Sequence, residues 1–133
     1  MNRAVRRTLF PLVLGLLLAG CSGQETSGPG AAVEAFYDHL NSGNYVAAKA
    51  LYTAEMRDML HDPASASDAG FVEWARTETR DGSIDTVRIT QEETDENDGA
   101  TVEYELVYRD GSTARHTVTM KLEDDAWKLG LVH

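Results

Sequence analysis

The sequence contains a single cysteine in 133 residues, so the chain cannot form an internal disulfide bond. Basic residues are also scarce, with 12 lysines and arginines against 22 aspartates and glutamates. Because nucleic-acid binding depends on basic side chains that displace counterions, this balance argues against a nucleic-acid partner. The sequence has no glycine-rich phosphate loop, metalloprotease helix motif, nucleophile elbow or CxxC pair, which excludes several classes of enzyme.

Long hydrophobic runs are absent as well. The longest apolar run covers residues 9–19, about half of the roughly twenty residues that a membrane-spanning helix needs. It follows a basic segment that contains Arg3, Arg6 and Arg7, and small residues come after it. This order of basic, apolar and small segments is typical of a secretory signal peptide. We therefore predict a leader over residues 1–20.

The only cysteine follows this leader directly, in the sequence Leu18-Ala19-Gly20-Cys21. These four residues resemble the lipobox of bacterial lipoproteins, in which the cysteine is lipidated and begins the mature chain. Stable attachment needs at least two acyl chains, and the resemblance implies a diacylglyceryl group on Cys21 that binds the membrane. The alternative is an ordinary leader that leaves a free thiol in an oxidising compartment.

The resemblance also implies a location outside the cytoplasm. Ser22, by its similarity to known sorting signals, favours the periplasmic face of the outer membrane if the organism has two membranes. The outer face of the cell membrane is expected otherwise. Without the leader, nine basic residues remain against 22 acidic ones, a net charge of −13 that disfavours polybasic contact with anionic lipid.

The mature chain divides into two parts. Residues 21–29 hold the predicted lipidated cysteine and a run of small and polar residues, which is typical of a flexible tether. Residues 30–133 form the predicted folded domain, which is long enough for one hydrophobic core.

Helical periodicity marks the first half of this domain. Apolar residues recur at helical spacing after Pro29 and stop at Asn41-Ser42-Gly43, which predicts one amphipathic helix. Asn44 is expected to cap a second helix, and a third short helix follows. Asp68 is expected to cap a fourth helix, which Asp81-Gly82 should end.

Alternation of apolar and polar residues marks the second half and predicts a four-stranded antiparallel meander. A three-residue loop at Arg109-Asp110-Gly111, with Gly111 left-handed, would place Tyr104 opposite His116. A two-residue turn at Asp124-Asp125 would then place His133 opposite His116. One sheet face would be apolar and the other polar. We expect an α+β fold with N-terminal helices packed on a curved four-stranded antiparallel meander.

An acidic run over residues 91–98 falls between the first two strands. It lacks the ligand spacing of an EF-hand calcium loop, including the glutamate at the twelfth position. We therefore predict a solvated hairpin loop there.

Several short stretches of the domain carry a family resemblance. They are Ala32-Val33-Glu34-Ala35-Phe36-Tyr37, Asn41-Ser42-Gly43-Asn44-Tyr45, Ala47-Ala48, Ala100-Thr101-Val102, Arg109-Asp110-Gly111-Ser112 and Ala126-Trp127-Lys128-Leu129. Through them the domain resembles bacterial lipoprotein domains of unknown function with the nuclear transport factor 2-like (NTF2-like) cone fold, within the cystatin-like superfamily. The fold includes ketosteroid isomerase-like enzymes, but the sequence has no catalytic motif to carry over, so the resemblance implies a fold and no activity.

The candidate site residues are Tyr37, Trp74, Tyr104 and His116, which we expect to line a concave pocket between the helices and the sheet. Asp38, beside Tyr37, is expected to face water. His116 and a neighbouring His133 would supply two metal ligands, but a third is not apparent, so we predict no metal and no cofactor.

These features favour a non-enzymatic, membrane-tethered module that binds a small apolar ligand or an envelope protein. One alternative is an isomerase- or hydrolase-like enzyme, which would require a buried carboxylate near Tyr104 or His116. Another is a structural module that forms a homodimer through the sheet, although the outer sheet face is polar for an obligate interface.

Overall fold

The computed structural model describes residues 28–60 and 68–133, and the predicted leader and Cys21 lie outside these ranges. The described elements are α1 (Pro29–Ser42), α2 (Tyr45–Lys49), α3 (Ala54–Leu60), α4 (Asp68–Thr79), β1 (Ile84–Thr94), β2 (Gly99–Tyr108), β3 (Thr113–Glu123) and β4 (Ala126–Val132). The strands form one antiparallel sheet in chain order, which confirms the predicted α+β meander. In this part of the chain, no helix combines the length and the apolar character needed to cross a membrane.

Helix α1 is attached to strand β1 at both of its ends. The N-cap residue Gly28 has no side chain that could accept a capping hydrogen bond. The Glu92 carboxylate of β1 instead accepts a hydrogen bond from Gly30 N. Near the other end, the Asn41 side-chain amide accepts from Ile84 N at 3.0 Å and donates to Ile84 O at 3.1 Å. These contacts fix the position of α1 against β1.

The core lies between the helices and the inner face of the sheet. Its most buried large side chains are Val33, Phe36, Tyr37, Leu40, Val102, Tyr104, Leu106, Val118 and Leu129. Burying each aliphatic or phenylalanine side chain of this size stabilises the fold by about 1.5–3 kcal/mol. The predicted helix face and the predicted inner sheet face therefore pack against each other.

The predicted β2–β3 register is confirmed. Tyr104 lies opposite His116, and the Arg109-Asp110-Gly111 loop contains Gly111 at a φ of 84°. The Asp124-Asp125 turn is also confirmed, because both of its residues have positive φ, at 51° and 62°. Two consecutive positive φ values suit a two-residue hairpin, whose twist then matches that of the flanking strands.

The expected pairing of His133 with His116 is wrong. The register of β3 with β4 shifts after Met120, so that Val118 lies opposite Val132. His133 exchanges two backbone hydrogen bonds with Thr117, at 2.8 and 3.1 Å. A one-residue shift moves the following side chains to the other sheet face, and His133 is exposed there.

The shift is a β-bulge at Gly130, where close backbone approach leaves no room for a side chain. A Cβ atom there would lie 2.9 Å from the carbonyl oxygen of Thr119. Glycine within a strand often marks such a bulge.

Replacing Gly130 with alanine is expected to destabilise the domain by about 1–3 kcal/mol, because the added methyl group meets backbone atoms. Urea unfolding of the variant and the parent measures the difference. The same loss is expected in a Thr119→Ala background, since the obstructing carbonyl oxygen belongs to the backbone. An unchanged free energy of unfolding would show that the strand has space at this position.

The acidic run forms a shorter loop than expected. Strand β1 continues through residues 91–94, and only residues 95–98 turn. Asp95 Oδ1 organises this turn by accepting from Asn97 N at 2.7 Å and Gly99 N at 3.1 Å. The alternation of apolar and polar residues could not predict the extension, because residues 91–94 are all exposed and carry no apolar face.

Candidate functional site

A hydrogen-bonded pair of tyrosines lies in the core between α1 and β2. The hydroxyl oxygens of Tyr37 and Tyr104 are 2.7 Å apart, and each residue is only 1% exposed. Burial raises the pKa of both phenols well above the ordinary value, and for Tyr37 the neighbouring Tyr104 adds to the effect. Both groups are therefore neutral at physiological pH and act in hydrogen bonding.

The two hydroxyls of this pair are expected to stabilise the domain as one unit, so that the losses from removing each of them do not add. Tyr37→Phe should destabilise the domain by about 1–2 kcal/mol, because the buried Tyr104 hydroxyl loses its partner. Adding Tyr104→Phe should cost much less than that substitution costs alone. Denaturant unfolding of the four proteins of this cycle measures the coupling, and strictly additive losses would argue against an interaction.

Stability is expected to fall as the pH rises above about 10, the ordinary pKa of tyrosine. Burial raises the pKa of Tyr37, Tyr52 and Tyr104, so these phenols lose protons in the unfolded chain before they do so in the folded one. The stability present below the ordinary pKa is then lost with increasing pH. Phenolate absorbance should show these groups ionising only on unfolding. Ionisation of all five tyrosines near pH 10 in a folded protein would contradict this.

His116 and Glu78 lie next to the tyrosine pair and are partly exposed to solvent. The rings of His116 and Tyr104 are 5.5 Å apart, and His116 Nε2 lies 2.9 Å from Glu78 Oε1. The ring nitrogen is buried, yet among the described residues it has no aligned hydrogen-bond acceptor, so its contact with Glu78 is electrostatic. The contact becomes an ion pair when the imidazole is protonated. The two side chains are 21% and 22% exposed.

Sequence reasoning missed Glu78. Helical spacing contained the signal, because Phe71, Ala75 and Glu78 stand at i, i+4 and i+7 on one face of α4. Phe71 and Ala75 are buried on that face, which directs Glu78 towards the sheet.

In residues 28–60 and 68–133, no three His, Cys, Asp or Glu side chains are grouped to hold a metal ion.

Trp74 does not join the other three candidates. Its side chain is 37% exposed, and its ring lies 5.6 Å from that of Phe71. Phe71 and Ala75 take the core-facing positions of α4, so Trp74 falls at the margin of that face.

Side chains fill the space where we expected a pocket. The Phe36 ring lies 5.2 Å from that of Tyr37 and 5.0 Å from that of Tyr52, and Phe36 is fully buried. Asp38 faces water, as its helical position predicted. An apolar ligand would have to displace the rings of Phe36, Tyr37 or Tyr52 to enter this part of the core.

A polar groove of about 310 Å³ lies instead on the outer face of the sheet. Its lining residues are Thr90, Glu103, Tyr104, Arg115, His116, Thr117 and His133. Beside it, the nearly buried Glu105 carboxylate accepts from Arg88 at 2.8 Å and from Arg115 at 3.2 Å. With Glu103 in the groove, these two guanidinium groups face two carboxylates, so the charges of these four side chains balance on an otherwise acidic domain.

A family model described as a domain of unknown function (DUF4878) matches residues 19–130. The chain belongs to this family. No curated protein shows significant similarity to it.

Two solved structures resemble the DUF4878 domain in fold. A SEC-C motif-containing protein from Rhodopseudomonas palustris is 15% identical, with a TM-score of 0.61 over 81% of this chain and 79% of the other. A candidate NTF2-like transpeptidase from Campylobacter jejuni is 13% identical, with a TM-score of 0.53 over 78% of this chain and 98% of the other. Similarity at this level concerns the fold, and it confirms the NTF2-like fold of the DUF4878 domain.

Proposed function

We propose that the chain is an extracytoplasmic lipoprotein, held on the membrane by lipid on Cys21, whose body is a non-catalytic module that binds an envelope protein. The lipobox resemblance and the preceding leader pattern support the anchor. We favour binding at the surface over binding in an enclosed pocket. The packed interior supports this, because Phe36, Tyr37 and Tyr104 occupy the space that an enclosed ligand would need.

The outer face of the sheet is the proposed binding surface. Its groove combines the Arg115 guanidinium, the Glu103 carboxylate and the Thr90 and Thr117 hydroxyls. A surface of mixed donors and acceptors suits a non-obligate protein interface, which is about as polar as the rest of a protein surface.

Site-specific photo-crosslinking in cells that produce the full chain tests this proposal. A photoreactive amino acid at Thr117 is expected to give one discrete adduct with an envelope protein. The same amino acid at Asp38, exposed on α1, is the matched control and should give none. An adduct of twice the chain mass would favour the homodimer instead, and equal adducts from both positions would argue against a specific surface.

One observation favours a second candidate, acid–base catalysis. Glu78 contacts His116, whose ring lies 5.5 Å from that of Tyr104, so a partly buried carboxylate lies near both residues. Exchange of deuterium from heavy water into a simple ketone tests it. Catalysed exchange that Glu78→Gln abolishes, with the fold intact, would support an enzyme. An exchange rate no higher than that in buffer alone would argue against catalysis and favour the binding module.

A further inference from the structure

The two ends of the sheet differ in charge. The turns between β1 and β2 and between β3 and β4 lie at the same end, where Leu122 N donates to Asp98 O at 2.8 Å. We call this the acidic end. Its carboxylates are those of Glu92, Glu93, Asp95, Glu96, Asp98, Glu123, Asp124 and Asp125. Only two lysines, Lys121 and Lys128, stand on the strands nearby.

Two arginine–carboxylate pairs lie away from the acidic end. Arg80 approaches Asp110 of the β2–β3 loop at 3.6 Å, and Arg76 pairs with Asp81 at 2.9 Å. Charges at that opposite end therefore balance locally, whereas the acidic end holds a net excess of negative charge.

The chain enters the folded domain at the acidic end. Gly30 N donates to Glu92, and a Cβ atom on Gly28 would lie 3.9 Å from the same carboxylate. The far end of α1 is fixed by Asn41 to Ile84, at the opposite end of the sheet. The connection to Cys21 therefore leaves the domain beside the acidic turns.

The connection is too short to let the domain turn over. Seven peptide units separate Cys21 from Gly28, which span at most about 25 Å when fully extended. A domain of about one hundred residues is roughly 30 Å across. To present its opposite end to the bilayer, the body would need a connection that passes along its whole length.

We propose that the acidic end faces the membrane and that anionic headgroups repel it, so that the body stands off the bilayer with the β2–β3 loop outermost. This inference rests on the proposed lipid anchor at Cys21. Anionic lipids create a negative surface potential that acts within a Debye length, about 8–10 Å at physiological salt. The repulsion therefore extends the tether when anionic lipid is present and weakens at high salt.

Energy transfer from single labels to a headgroup acceptor tests the orientation. The lipidated full chain has no free thiol, so Glu96→Cys and Asp85→Cys each provide one labelling site. They form a matched pair, because each removes one exposed carboxylate and they lie at opposite ends of the sheet. Both proteins are reconstituted in phosphatidylcholine vesicles, with or without phosphatidylglycerol.

Transfer is expected to be several-fold stronger from position 96 than from position 85 in neutral vesicles. Phosphatidylglycerol should reduce the transfer from position 96, and high salt should restore it. The transfer is measured on protein that floats with the vesicles and is therefore membrane-bound. Equal transfer from both positions, or stronger transfer from position 85, would overturn the proposed orientation. Protein that does not float would contradict the anchor itself, so the two failures are distinguishable.

Discussion

Replacing Cys21 with serine is expected to move the protein from the membrane fraction to the soluble extracytoplasmic fraction. The thioether to the diacylglyceryl group requires the cysteine sulfur, and each buried methylene of an acyl chain contributes roughly 0.8 kcal/mol to attachment. Without lipid, a mature chain of net charge −13 has no polybasic segment to hold it on an anionic surface. Fractionation and immunoblotting of cells that produce either chain measure the change.

Ser22→Ala is the matched control, because it changes a hydroxyl next to the proposed anchor and leaves the sulfur in place. This variant should stay in the membrane fraction. Cys21→Ser should keep its unfolding midpoint, since Cys21 precedes the folded domain. Membrane retention of Cys21→Ser would overturn the anchor, whatever the behaviour of the control.

Replacing Phe36 with alanine is expected to destabilise the domain by about 3–5 kcal/mol, a large part of the 5–15 kcal/mol that holds such a domain folded. Phe36 is fully buried between the rings of Tyr37 and Tyr52, so its loss leaves a cavity in the core. Denaturant unfolding measures the loss, and Asp38→Ala on the exposed side of α1 is the control. Phe36→Leu provides a milder variant if the alanine variant does not fold.

The same variant tests whether the natural interior is closed. A small apolar probe such as benzene should raise the melting temperature of Phe36→Ala, because dry apolar cavities bind such molecules. The parent protein should not respond, since its aromatic cluster leaves no such space. Equal stabilisation of the parent would restore the enclosed apolar ligand pocket as the favoured site.

Local patterns predicted the parts of the fold that depend on neighbouring residues. The period of apolar residues placed α1 and the β2–β3 pair, and Gly111 and Asp124-Asp125 identified the turns that set their register. The bulge at Gly130 escaped prediction, because Trp127, Leu129 and Leu131 alternate as they would in a regular strand. Its cause, the approach of the Thr119 carbonyl, is a contact between strands.

The candidate site was predicted only in part for a similar reason. Strand register brought Tyr104 and His116 together, and the apolar face of α1 supplied Tyr37. The position of α4 across the sheet depends on tertiary packing, which decides that Glu78 meets His116 and that Trp74 does not. Whether the interior is open or filled depends on how closely the helices pack on the sheet, which residue types alone do not reveal.

The proposed anchor and the proposed binding surface are compatible in position. The groove contains Arg115, His116 and His133, which lie towards the end of the sheet opposite the acidic turns. A body held with its acidic end towards the bilayer would present this groove away from the lipid. The tether would then give a membrane-bound protein access to partners in the envelope.

Mass spectrometry of the protein extracted from cell membranes tests the lipid anchor most directly. The proposed anchor predicts a mature N-terminal peptide that begins at Cys21 and carries the mass of a diacylglyceryl group, with or without a third acyl chain. An N-terminus at another residue, or an unmodified Cys21 thiol in the membrane-extracted protein, would contradict it.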